Sequence, residues 1–138
     1  MRFIVDTNII ISALIRDSKT RFLLTHFNAE LFSVGFSKIE FVKHKNEIIK
    51  KAKVNEEELD MILEKIHSRL TLIKDEMIEL RIEDAKKIMD KIDSNDTIFI
   101  AAALATNSVI WSDDKHFKKQ NKVKVLTTSE LISLTQSL

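Results

Sequence analysis

The 138-residue chain contains no cysteine, no proline and a single glycine, Gly35. Without thiols there is no disulfide framework, no cysteine nucleophile and no thiolate zinc site, and the composition fits a reducing compartment. One glycine is too few for a glycine-rich loop that cradles phosphates. Excess charge is also missing: 22 basic and 21 acidic residues leave a net charge of +1, which is not the footprint of a protein that coats DNA. Nucleic acid stays open as a ligand, because acids gathered in one crevice would leave the bases in excess elsewhere. No apolar run approaches the ~20 residues needed to span a bilayer. Asp6 interrupts any signal-peptide core, so a soluble, cytoplasmic protein with no membrane partner is expected.

A chain of this length buries roughly 70% of its unfolded surface, enough to fold without a disulfide or structural metal. No linker, repeat or low-complexity tract divides it, so residues 1–138 are read as one domain. Residues 2–6 read as a short buried strand, and 8–16 as a helix with Ile9, Ile10, Ala13 and Leu14 along one stripe. Phe22, Leu23 and Leu24 suggest a second helix, and residues 30–34 a second strand. A helix from 37 to about 51, with a break near 44–46, precedes a longer one capped by Asn55. Leu59, Ile62, Leu63, Ile66 and Leu70 form the buried stripe of that longer helix, and Glu56-Glu57-Glu58 its acidic first turn.

Leu72-Ile73 offers a third strand, and residues 80–91 a helix burying Ile82, Ala85, Ile88 and Met89. Residues 98–105 are apolar all round and rich in alanine, which puts that helix in the middle of the fold. Strands at 109–112 and 123–126 follow, the first carrying Trp111 into the core. Thr127-Thr128-Ser129-Glu130 then spells a capping box before the last helix. Short apolar strands alternating with helices predict an α/β protein, a three-layer α/β/α sandwich with a short, mostly parallel central sheet.

Four acids stand where elements begin or end. Asp6 closes the first strand, Glu40 opens the charged helix after Ser37, Asp96 heads the alanine-rich helix and Asp114 follows the strand with Trp111. In open parallel sheets, ligands gather beyond the carboxyl ends of the strands, where Asp6 and Asp114 fall. Carboxylates brought together there repel one another unless they hold a cation or stay partly protonated. Each acid also has a structural alternative. Asp6 could cap the first helix, although Thr7 and Asn8 look better placed to do so. Ser37-Lys38-Ile39-Glu40 matches a capping box. Asp93, Ser94 and Asn95 compete to cap the helix of Asp96. Asp113 and Asp114 are adjacent, so at most one faces a shared site. His26, His44, His67 and His116 show no metal-ligand spacing and read as surface or core histidines.

Together these residues resemble the PIN-domain family of metal-dependent ribonucleases. The likeness runs through V-D-T-N-I-I-I-S-A-L at 5–14, D-S-N-D-T-I-F-I-A-A-A-L at 93–104 and W-S-D-D-K-H-F at 111–117. It implies Asp6, Glu40, Asp96 and Asp114 as catalytic acids, with Asp6, Asp96 and Asp114 as metal ligands and Asp93 as an additional acid. Asn8 and Ser112 would be supporting polar residues. Ser112, Asp114 and Phe117 match the last motif, which selects Asp114 over Asp113. Two prolines common in part of the family are replaced here by Gly35-Phe36 and Thr97-Ile98.

Oxygen ligands suit Mg²⁺ or Mn²⁺ rather than zinc, for which nitrogen and sulfur ligands are not expected in this site. The resemblance therefore implies Mg²⁺- or Mn²⁺-dependent hydrolysis of RNA, with Lys43, Lys45, Lys115 and His116 as candidate contacts to the RNA backbone. It further implies a homodimer and, if the chain is the toxin of a toxin–antitoxin pair, a small antitoxin partner; a housekeeping RNA-processing role is the alternative. A haloacid-dehalogenase phosphatase would need D-x-D before glycine, where this chain has Asp6-Thr7-Asn8-Ile9. A receiver domain would need a lone aspartate after a middle strand. A PIN-like scaffold that binds RNA or protein without cleaving is the non-enzymatic rival.

Overall fold

The computed structural model describes residues 1–15 and 18–136, with the backbone alone at Ser18, Phe36, Ser37, Lys38 and Glu40. The chain opens with β1 (Arg2–Val5), α1 (Thr7–Ile15), α2 (Ser18–His26) and β2 (Glu30–Ser33). Helices α3 (Phe36–Ala52) and α4 (Glu56–His67) lead to β3 (Leu70–Leu72). Next come α5 (Asp75–Glu79), α6 (Ile82–Met89), a 3-10 turn (Ser94–Asp96) and α7 (Thr97–Thr106). The chain finishes with β4 (Val109–Trp111), a second 3-10 turn (Lys115–Lys119), β5 (Val125–Leu126) and α8 (Thr128–Gln136).

All five strands are parallel, in the order β3-β2-β1-β4-β5. The sheet is thus entirely parallel, not mostly so, and helices cover both faces. Alternation along each strand divides the core. Phe3, Val5, Leu31 and Trp111 point into one apolar layer, with Ile9, Ile10 and Leu14 of α1, Leu24 of α2, Ile48 of α3, Leu59 and Ile66 of α4 and Leu131 of α8. Ile4 and Ile110 point into the other, with Ile78 of α5, Ala85 and Met89 of α6, and Phe99 to Ala103 of α7. Burying each such large side chain contributes about 1.5–3 kcal/mol. The middle of the alanine-rich α7, Phe99 to Ala103, is buried as its all-apolar sequence predicts, while Ile98, Leu104 and Ala105 are partly covered.

Local chemistry accounts for several element ends. The Asn55 side chain accepts the Glu58 N–H at 2.8 Å and caps α4. Before α8 the capping box is reciprocal: Thr127 Oγ1 accepts the Glu130 N–H at 3.2 Å and Glu130 Oε1 accepts the Thr127 N–H at 3.1 Å. With glycine scarce, Lys53 (φ 56°) and Asn107 (φ 52°) take the left-handed conformation that ends α3 and α7.

Three expectations are revised. Leu70, expected on the buried stripe of the helix capped by Asn55, instead opens β3, because α4 ends at His67. Helix α3 runs unbroken past His44, because Phe41, Ile48 and Ile49 keep one face on the core. The helix expected over 80–91 is α6 alone, shortened to Ile82–Met89, with Arg81 (φ −116°, ψ 6°) ahead of it and Leu80 exposed; the short helix α5 before it was not expected. None of the described helices is long and apolar enough to cross a membrane.

Candidate metal centre

The sheet order reverses between β1 and β4: from β1 the chain moves outward to β2 and β3, then returns to place β4 on the other side. A crevice opens at such a reversal, beyond the carboxyl ends of the two strands. Val5 pairs with Trp111, and the Asp6 N–H donates to the Trp111 carbonyl at 3.0 Å. Asp6 and Ser112 therefore leave the sheet side by side. The Ser112 hydroxyl, fully buried, donates to Asp6 Oδ2 at 2.7 Å and accepts the Asp114 N–H at 3.0 Å. One serine thus links the ends of both strands and aims two acids.

Asp6 is 4% exposed. Burial pushes its pKa above the ordinary value of 3.8, against the lowering effect of the Ser112 hydroxyl and of the backbone N–H groups of Asn8 and Thr7. Nearby Asp114 pushes it up further. Asp6 thus stands directly before α1, takes hydrogen bonds from the N–H groups of its first two residues, and faces the crevice as well.

Asp96 reaches the same crevice from the start of α7. The backbone of the preceding turn is held by Asp93, whose Oδ1 accepts the Asn95 N–H at 3.0 Å. Thr97 secures the helix start by donating to Asp90 Oδ1 at 2.7 Å. Neither bond uses the Asp96 carboxylate, and its buried Oδ2 has no hydrogen-bond partner. Its pKa is pushed up to about 7, first by burial and then by the charges of Asp93, Asp114 and Asp6; His116 offsets part of this. Four carboxylates thus share one field. Asp6, Thr7, Asn8, Lys43, Asn95, Asp96 and Phe99 line a polar cleft of about 400 Å³ at this point.

His116 completes the cluster. Its backbone N–H donates to Asp114 Oδ1 at 2.9 Å. Nδ1 then lies 3.3 Å from Asp93 Oδ2 and 3.4 Å from Asp114 Oδ1. One ligand atom each from Asp93, Asp96 and His116 lie within 4.8 Å of one another, a spacing suited to a cation. Acidic oxygens, one of them buried and unpaired, together with a pKa near 7 are what a divalent ion would relieve, so the residues fit such an ion.

A model of the PIN domain matches residues 4–134. The chain belongs to the PIN-domain family. This PIN domain is similar in fold to VapBC2 from Rickettsia felis, solved with a DNA fragment of its promoter, at 18% identity and a TM-score of 0.69. That likeness covers 92% of this chain and 98% of the other. VapBC-1 from nontypeable Haemophilus influenzae matches at 22% identity and a TM-score of 0.66, over 94% and 99% of the two chains. PAE2754 from Pyrobaculum aerophilum matches at 12% identity and a TM-score of 0.63, over 100% and 97%. Among curated proteins nothing matches.

The structure separates the remaining candidates. Asp113 turns away from the cleft and accepts both the Thr128 N–H (2.8 Å) and the Thr128 hydroxyl (2.9 Å). Glu40 lies in the first turns of α3, and its side chain falls outside the described residues. Lys43, one turn on, is exposed and lines the cleft. Lys45 faces α4 instead, 2.8 Å from Glu56 and 3.7 Å from Asp60. Lys115 is exposed at the head of the second 3-10 turn and does not line the cleft. Sequence reading took His116 only as a contact to RNA and expected no nitrogen in the acidic cluster. The only signal in the sequence was its place two residues after Asp114; its partner Asp93 is 23 positions away.

Proposed function

We propose that this PIN domain is a Mg²⁺- or Mn²⁺-dependent endoribonuclease that hydrolyses RNA phosphodiester bonds. The observation that carries this reading is the convergence of Asp6, Asp93, Asp96 and Asp114 at the reversal point of the sheet, with Asp96 raised to about 7. Asp6, Asp96 and Asp114 would hold the ion, with Asp93 beside them, and Glu40 would complete the acidic set. When bound, the ion activates water for attack and neutralises charge developing on the scissile phosphate. Ser112 keeps Asp6 ionisable by donating to it, and buried Thr7 and Phe99 shape the wall of the cleft. Lys43, which lines the cleft, would meet a phosphate of the RNA backbone, and Asn8, also in the lining, would offer a neutral polar contact.

Metal-dependent cleavage of labelled single-stranded RNA tests this. Asp6→Asn and Asp96→Asn are each expected to lower the rate by about 10²-fold or more, and chelator to abolish it. Cleavage that survives chelator, or both substitutions, would refute the assignment. Mn²⁺ binding without cleavage would point to a specific RNA not among those offered, whereas neither binding nor cleavage would favour the scaffold role.

The toxin of a toxin–antitoxin pair is the more specific reading. It is supported by likeness to the VapBC toxin–antitoxin proteins. Growth arrest on expression, relieved by a small protein encoded next to this chain and lost in Asp96→Asn, is the expected result. A homodimer belongs to the same reading and is tested by the mass of the purified protein in solution.

A further inference from the structure

Building on the metal-centre reading above, we propose that His116 supplies an imidazole ligand to the ion through Nδ1, beside carboxylate oxygens of Asp93 and Asp96. We infer that this nitrogen makes the centre prefer Mn²⁺ to Mg²⁺.

Two buried atoms in this cluster, Asp96 Oδ2 and His116 Nδ1, have no hydrogen-bond partner. Buried polar atoms are nearly always paired, so two such atoms in one small space are unusual. Nδ1 lies near the carboxylates of Asp93 and Asp114 at 3.3 and 3.4 Å but is aligned for a hydrogen bond with neither. Both orphaned atoms are electron-pair donors once the carboxyl is ionised and the ring neutral. A single cation between them satisfies both at once. The ligand atoms already lie within 4.8 Å of one another. An ion with ligands about 2.1–2.2 Å away needs roughly 3 Å between adjacent ligands and 4.4 Å between opposite ones, so only small adjustments close the site.

The histidine is held for this task. Its backbone N–H is tied to Asp114, and the next residue, Phe117, is fully buried with its ring edge-on to Phe99 (centroids 6.1 Å apart, planes at 88°). Gln120 braces the same turn, donating from Nε2 to the carbonyls of Phe117 (2.7 Å) and Val123 (2.8 Å). The His116 side chain is 43% exposed although Nδ1 is buried, so the open side of the ring is the side away from the acids. A neutral ring then carries its proton on Nε2, leaving the Nδ1 lone pair free to face inward. Mg²⁺ favours an all-oxygen octahedron, whereas an imidazole nitrogen raises affinity for transition metals such as Mn²⁺.

Metal-free protein titrated calorimetrically at pH 8 with MnCl₂ and, separately, MgCl₂ gives one test. His116→Ala is expected to weaken Mn²⁺ binding by about tenfold or more while changing Mg²⁺ affinity by less than about threefold. Pulsed electron paramagnetic resonance of the Mn²⁺-loaded protein gives the second, independent of catalysis. Coupling to ¹⁴N is expected in the wild type and in His26→Ala, and should vanish in His116→Ala. If the alanine variant fails to fold, as circular dichroism would show, His116→Asn carries the same two measurements. Equal losses for the two ions, or Mn²⁺ bound with no ¹⁴N coupling in the wild type, would overturn the nitrogen ligand while leaving an oxygen-only centre intact. No binding of either ion by the wild type would overturn the metal centre itself, and this inference with it.

Discussion

Ser112 shows how one side chain can organise a site without entering its chemistry. Its hydroxyl spends its proton on Asp6 and its lone pair on the Asp114 backbone, and no water reaches it. Ser112→Ala leaves a buried carboxylate short of a donor and a backbone N–H short of an acceptor. Unpaired buried groups of this kind cost about 1–3 kcal/mol, so denaturant unfolding of the metal-free variant should show a loss of that size. A loss below about 0.5 kcal/mol would mean that water replaces the hydroxyl. Asp6 would also lose the largest of the influences that hold its pKa down, making it a poorer ligand near neutrality.

At the scale of elements, two adjacent aspartates serve different structures. Asp113 accepts from the backbone and hydroxyl of Thr128 at the head of α8, and that hydroxyl also accepts the indole N–H of buried Trp111 at 3.0 Å. The end of β4 is thereby fastened to the start of α8. Asp113→Ala removes a helix-capping acceptor, and a loss of about 1–2 kcal/mol of stability with unchanged Mn²⁺ affinity is expected. Asp114→Ala should give the reverse pattern, with metal affinity suffering most. Matching behaviour of the two variants, measured by thermal melting and calorimetry, would argue against this division of labour.

For the whole molecule, the acidic cluster is a cost that the rest of the fold bears. Asp96 titrates near pH 7 in the metal-free fold, against an ordinary value of 3.8. Between those values the folded protein holds a proton that the unfolded chain has released. The sign follows directly: metal-free protein should lose stability as pH rises from about 4 to 7, with no further loss from this group above that. Thermal melting across this range should show the slope, and Asp96→Asn should flatten it. A saturating ion reverses the effect. At a hundred times its Kd it adds about 2.7 kcal/mol, worth roughly 10 °C for a domain of this size.

The α/β class, the position of nearly every strand and the caps at Asn55 and Thr127 were legible from residues alone, because hydrophobic period and capping chemistry are local. A pattern such as Ile98 to Ala105 carries its own burial, and so α7 was expected in the interior, where it lies. Helix α5 was not legible, since five residues carry too little period to mark a helix. Nor was the start of β3 at Leu70, which continues the apolar stripe of α4. Site chemistry divides along the same line. Motif likeness marked Asp6, Asp96 and Asp114, but their mutual repulsion depends on the order β3-β2-β1-β4-β5, which sets the ends of β1 and β4 side by side. The turning of Asp113 to α8, of Lys45 to α4 and of His116 onto Asp93 are likewise facts of the fold. Sequence by itself determined which elements form and which acids end them; tertiary structure alone decided which of those charges share a desolvated crevice, because desolvation and proximity are properties of surroundings, not of a residue.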